Sequence, residues 1–299
     1  YELVEFDTGD ATGELHFLAD SISSSATTTF YLYFGNSAAS AYSDYDTYGR
    51  NAVWSQYEAV YHFTEDPTTI GNLLTDSTGN GYDLSVETEA LATSTGQLGG
   101  GVSLISSTGF MRASTFQWAT GTPLTTSGWY KMSAASNEAL WQFGTGAQPD
   151  QLYFEPWDAG TNRGQYIFGN TSGTTYTFTP RDTTNWNHFF TIGATSTSDN
   201  NYVYHDNILR ETQAQTVLNP GNTDANGMQV GRTGGAGSLE AEVDELRFAA
   251  VIRNTDWMTA EYNNQYTPFN FYAISSVEAY VPDQVIDEAT HDITAGGSA

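Results

Sequence analysis

Apolar and polar residues alternate along most of the chain with a period of two, in runs of about four to nine residues that end at Gly, Asn, Asp, Ser or Pro. Such runs read as strands: 27–36 (TTTFYLYFGN), 57–65 (YEAVYHFTE), 101–114, 126–133, 138–144, 150–158, 164–170, 174–180, 185–196, 201–211, 226–233 and 239–251. Turn signals recur about every 8–12 residues, the spacing of a sandwich or barrel. One segment has helical spacing instead. In 253–265 (RNTDWMTAEYNNQ), Asn254 or Thr255 caps the start, Trp257, Ala260 and Glu261 share a face, and Asn263-Asn264 closes it. The pattern predicts an all-β fold with less than about a tenth helix.

The run SLEAEVDELRF (238–248) concentrates acid on a strand. Strict alternation places Glu240, Glu242, Asp244, Leu246 and Phe248 on one face, and Ala241, Val243, Glu245 and Arg247 on the other. Leu246 and Phe248 point that first face inward, so Asp244 is expected to enter the core. A buried carboxylate without a partner is costly, so Asp244 needs backbone N–H groups or a cation.

Composition narrows the setting. The 299 residues suit one large all-β domain or two ordinary ones. Thirty-five acidic residues against nine basic ones give a net charge of -26, and Lys131 is the sole lysine. That field repels phosphate backbones and anionic membranes, so no nucleic acid partner is expected. It suits saline or calcium-rich surroundings, where counterions screen self-repulsion. With no cysteine, there is no disulfide scaffold, zinc–thiolate site or cysteine nucleophile. No apolar run approaches the roughly 20 residues of a membrane span, so no membrane insertion is expected. The chain opens inside what reads as a strand (YELVEF), as expected of part of a longer precursor.

Several segments, in order, resemble the LamG-like jelly-roll module of the concanavalin A-like lectin/glucanase superfamily. They are EAVYHFTED (58–66), LTDSTGNGYDLS (74–85), GQLGGGVSL (96–104), TNWNHFFTIG (184–193), NYVYHDNILRE (201–211) and the closing strand with its helix (228–265). The first 36 residues resemble the end of a small β module of unknown function that precedes LamG-like modules in prokaryotic surface proteins. The resemblance implies a two-sheet antiparallel jelly roll over 49–272, with one short C-terminal helix. Residues 1–48 are then strands of the preceding module plus a linker, and 273–299 an acidic tail or strand. The superfamily's glucanases carry Glu-x-Asp-x-Glu or Glu-x-Asp-x-x-Glu on one strand, with the outer carboxylates about 5–5.5 Å apart in a retaining mechanism. Here Glu242-Val243-Asp244 supplies the first half, and Leu246 and Arg247 stand where the second glutamate would be. No catalytic residue is therefore expected.

Two sites remain as candidates. Asp76, Thr78, Asn80, Gly81 and Glu87 nearly match a calcium-loop pattern. The flanking sequence reads as strand, which an EF-hand does not allow. An Asx-type turn held by Asp76, or a structural calcium held by Asp76, Asn80 and Asp244, are the alternatives. Trp118, Trp129, Trp141, Trp157 and Trp186 read mostly as core rings, unless one stands exposed on a loop. Trp157, beside Asp158 and Asn162 in EPWDAGTNRG, has the aromatic platform and hydrogen bonders of a sugar site. The five histidines lack metal-ligand spacing and read as structural. The expected function is non-catalytic recognition or adhesion, glycan-binding, on a cell envelope, secreted filament or virion. The alternative is a structural assembly protein whose partners are neighbouring subunits. Terminal strands (ELVEF, TTTFYLYF, VEAYV) outside the jelly roll would serve such contacts.

Overall fold

The alternating runs pair into two antiparallel sheets. The computed structural model describes residues 1–9, 12–23, 25–36, 38–104, 108–134, 136–144, 152–158, 163–168, 174–176, 183–196, 198–214, 226–233 and 237–276. The N-terminal part contains β1 (Glu2–Asp7), β2 (Thr12–His16), α1 (Arg50–Val53), β3 (Ala59–Tyr61), β4 (Leu73–Leu74), β5 (Leu84–Glu87), β6 (Ala92–Thr95) and β7 (Gly100–Ser103). The middle contains β8 (Phe110–Ala113), β9 (Leu124–Met132), β10 (Trp141–Phe143), β11 (Leu152–Asp158), β12 (Arg163–Phe168), β13 (Thr174–Tyr176) and β14 (Asn187–Gly193). The last part contains β15 (Asn200–His205), β16 (Ile208–Ala214), β17 (Met228–Val230), β18 (Ala241–Ala249), α2 (Thr255–Tyr266) and α3 (Pro268–Phe271). Helix accounts for 9% of the described residues, inside the tenth expected from the pattern.

One sheet runs β13-β12-β11-β10-β17-β8-β5-β4. The other runs β16-β15-β14-β9-β18-β7-β6, with β3 added along part of β18. Their facing sides enclose one core of aromatic rings. Phe248 of β18 meets Trp141 and Phe143 of the opposite sheet edge-on, with centroids 5.5 and 5.7 Å apart. Phe154 and Phe189 stack across the gap at 4.6 Å. Trp118 and Trp141 join this core as expected, whereas Trp129 is buried on the outer face of its sheet and Trp186 is half-buried. The β15–β16 hairpin turns at Asp206-Asn207, both at positive φ (50° and 61°), the conformation a two-residue hairpin demands and these residue types tolerate.

Asp244 departs from the expected alternation. Ala241 and Val243 belong to the core, and so do Leu246 and Phe248. Two inward series out of phase by one residue require a bulge, which lies between Asp244 and Arg247, with Glu245 at φ 51°. Asp244 therefore leaves the core side. It is buried on the outer face of its sheet, opposite Trp129, and accepts a hydrogen bond from Leu98 N at 2.9 Å. Arg247 shares that outer face instead of opposing Asp244.

The outer face is covered. Helix α2 lies on it, with Trp129 stacked on Tyr262 and its indole N–H donated to Gln265 at 2.5 Å. Asn254 caps this helix by accepting from Trp257 N at 2.9 Å, and the helix runs past Asn264 to Tyr266. The β1–β2 hairpin covers the adjacent part, where His16 stacks on His62. Residues 27–34, expected as a strand, form none; Leu32, Tyr33 and Phe34 are 67%, 73% and 70% exposed. Strand propensity is realised only against a partner edge, and among the described residues no strand pairs with this segment. The run VEAYV lies outside the described residues.

Candidate functional site

The turn at 76–82 is built around one carboxylate. Asp76 Oδ1 accepts from Val60 N and Thr78 N at 3.1 and 3.0 Å, and Oδ2 from Thr78 Oγ1 and Tyr82 N at 2.8 and 3.0 Å. This is the Asx-type turn among the two alternatives. Asn80 donates its amide to Glu58 O at 3.0 Å, which ties the turn to the start of β3. Asp244 draws its hydrogen bond from Leu98, a different part of the fold.

Gly79 and Asn80 of this turn form one wall of an open cleft of about 390 Å³. The other walls come from residues 45–46 and from the chain around α1: Asn51, Trp54 and Tyr57. Arg50 pairs with Asp44 at 3.0 Å and Asn51 N donates to Asp44 O at 3.0 Å, so the 43–49 turns dock on the helix. A Cβ at Gly79 would lie 3.1 Å from the Asn51 amide, so glycine lets that side chain approach the turn. Tyr45 stands 86% exposed at the rim, whereas Trp54 is buried in the floor with Tyr57 edge-on at 5.5 Å. The Trp54 indole N–H is held from behind by the Glu2 carboxylate. Among the described residues, Asn51 Oδ1 has no hydrogen-bond partner. The cleft thus combines an exposed ring with Asp46, Asn51 and Asn80.

The sequence candidates lie elsewhere or serve other contacts. Trp157 is half-buried in β11 against the core, Asp158 ends that strand, and Asn162 lies outside the described residues. On β18, Glu242 pairs with Lys131 at 2.8 Å, and Glu245 is bound by both His62 and Arg247. The cleft residues Tyr45, Asp46, Asn51, Trp54 and Tyr57 went unrecognised because DYDTYGRNAVWSQY opens as a polar linker. Its signal was aromatic rings interleaved with Asp and Asn.

Behind Trp54 lies a group of buried titratable side chains. Among the described residues, Glu14, His16, His62 and Glu245 bring four metal-ligand atoms within 4.8 Å of one another. Burial opposes charge on His62, but Glu245 and Glu2 outweigh it and raise its pKa to about 10. Burial lowers His16 to about 3, and burial together with Glu245 raises Glu14 to about 8. The same two influences, burial and Glu245, hold Asp244 well above the usual carboxylate range.

No protein-family model and no curated protein matches the sequence. Similar solved structures exist at low identity. Domain 4 of AbnA, a GH43 extracellular arabinanase from Geobacillus stearothermophilus solved with arabinotriose, aligns at TM-score 0.54 and 16% identity over 68% of this chain and 97% of that one. The binding domain of Paraclostridial Mosquitocidal Protein 1 aligns at TM-score 0.54 and 11% identity, over 71% of this chain and 53% of that one. The botulinum neurotoxin serotype G binding domain aligns at TM-score 0.52 and 10% identity, over 71% and 51%. This chain thus spans about half the length of the toxin domains. At these identities the likeness is one of fold alone, an antiparallel β-sandwich.

Proposed function

We propose that this protein is a non-catalytic, extracellular binding module that holds a carbohydrate in the cleft between the 45–57 segment and the Asp76 turn. The observation that carries this reading is the exposed Tyr45 ring set beside Asp46, Asn51 and Asn80. A sugar offers an apolar face to a ring and hydroxyls to carboxylate and amide groups, and an open site with a few convergent polar groups suits it. The arabinotriose complex of a domain with this fold supports the ligand class. Catalysis is not part of the proposal. Glycoside hydrolysis needs two carboxylates facing one substrate, and those of β18 are engaged by Lys131, Leu98, His62 and Arg247. Calcium at Asp76, Asn80 and Asp244 is not part of it either, since four protein donors already engage Asp76.

A glycan array tests the reading: saturable binding of at least one glycan, with no cleavage products, is expected. Absence of binding across the array, or release of reducing ends, contradicts it. A second reading, assembly into a larger structure, rests on the exposed apolar segment 27–34.

A further inference from the structure

We propose that Glu14, His16, His62 and Glu245 form a binding site for a divalent transition-metal ion of zinc's ligand preference, which fastens the β1–β2 hairpin to the sandwich. Glu14 and His16 come from β2, His62 follows β3, and Glu245 is the bulged residue of β18. The bulge is what turns Glu245 out of the core and toward the hairpin.

The four ligand atoms lie within 4.8 Å of one another. Glu14 Oε1 lies 2.6 Å from His16 Nε2 and 3.6 Å from His62 Nδ1, and Glu245 Oε1 touches His62 Nδ1. Tetrahedral zinc with bonds of about 2.0–2.1 Å sets its ligands about 3.3 Å apart, so sub-ångström to ångström side-chain shifts complete the site. Two imidazoles and two carboxylates match zinc in donor type and neutralise its charge. Calcium and magnesium prefer oxygen alone.

The supporting shell is also built. His62 presents Nδ1 to the site and its other nitrogen, Nε2, lies 3.3 Å from Glu2 Oε2, the carboxylate–histidine arrangement that orients metal-bound imidazoles. Glu2 is in turn fixed by the Trp54 indole and by Ser77 Oγ at 2.8 Å. Arg247 binds the distal oxygen of Glu245 and pairs with Glu261 at 3.7 Å.

A proton-filled cluster of ion pairs explains less. It places a second imidazole, His16, face to face with His62 at 4.8 Å. It leaves Glu14 Oε2 and Asp244 Oδ1 buried without hydrogen-bond partners among the described residues. The side chain of Glu14 is only 9% exposed. The carboxylates Glu2, Glu14, Asp244, Glu245 and Glu261 outnumber the cationic groups that face them, Arg247 and His62. A divalent cation supplies the missing positive charge and displaces protons from its ligands.

The test uses the untagged 299-residue chain after metal removal. Calorimetric titration with Zn²⁺ alone is expected to show one ion per chain. At about 100 times Kd it should raise Tm by on the order of 5 °C. Ca²⁺ or Mg²⁺ alone should change neither. Co²⁺ in place of zinc should give the intense visible absorption of four-coordinate geometry. His16→Gln, on the partly exposed hairpin, should weaken zinc binding at least tenfold, and Glu2→Gln by about 10–100-fold. His188→Gln, beneath α2, should leave it unchanged and serves as the buried-histidine control. No stoichiometric zinc uptake, equal uptake by His16→Gln, or preference for calcium overturns the proposal. Should His62→Gln fail to fold, His16→Gln and the cobalt spectrum still decide it.

Discussion

Phe248 shows how one side chain joins the two sheets: from β18 it meets Phe116, Trp141 and Phe143, each edge-on within 5.7 Å. Truncation leaves a cavity that rigid sheets fill poorly. Phe248→Ala should therefore cost about 3–5 kcal/mol in chemical denaturation. Asp206 carries an acid-sensitive contribution. It accepts from His188 N at 2.9 Å and lies 3.1 Å from His205 Nδ1. Burial works against its charge, but His205 and His188 outweigh burial and lower its pKa. A depressed folded-state pKa stabilises above the unfolded value, about 3.9, and the contribution is lost as pH falls below it. The stability gap between wild type and Asp206→Asn should be full at pH 6 and shrink at pH 3. Asparagine keeps the turn, since it tolerates the same positive φ. At this scale Phe248 was legible from its apolar neighbours. Asp244 was misplaced because alternation was extended backwards from Leu246 without the bulge. The phase change between Ala241-Val243 and Leu246-Phe248 was the available sign of it.

Most elements were legible because each is a period-two run closed by turn residues. β14 and β18 fall inside the runs read over 185–196 and 239–251, β9 overlaps the run read over 126–133, and Asn254 caps α2 as read. Others were not. The β2 strand TGELH has weak apolar content, because its inward side chains are Glu14 and His16, which bury against other polar groups. Conversely, TTTFYLYF has every local feature of a strand and no partner edge among the described residues. Unpaired apolar segments seek another edge. Under the assembly reading, the chain should self-associate in sedimentation velocity through this segment, and Leu32→Ser with Phe34→Ser should make it monomeric. A wild type that stays monomeric at high concentration removes that reading.

For the whole molecule, the sandwich is a platform whose outer layers create the candidate sites. The all-β sandwich was readable from alternating runs and turn spacing, and its jelly-roll form only from the family resemblance. The cleft was not, because it gathers Tyr45, Trp54 and Asn80 from segments that look like linker, helix and turn. The polar cluster behind it joins residues as distant in sequence as Glu14 and Glu245, and pairwise spacing of histidines gives no hint of such a meeting. The two sites share Trp54, which lines the cleft on one side and binds Glu2 on the other. Zinc binding and ligand binding should therefore be examined on the same protein.

The most direct measurement is calorimetric titration of an array-selected oligosaccharide into wild type, Tyr45→Ala and Trp157→Ala. Tyr45 is exposed at the cleft rim and Trp157 is packed on the core, so the two substitutions separate the cleft from the end of β11. The account predicts at least about tenfold weaker binding for Tyr45→Ala, from a lost stacking contact worth about 1.4 kcal/mol or more, and near wild-type affinity for folded Trp157→Ala. Unchanged affinity in Tyr45→Ala with loss in folded Trp157→Ala would contradict it and place the sugar at the strand end.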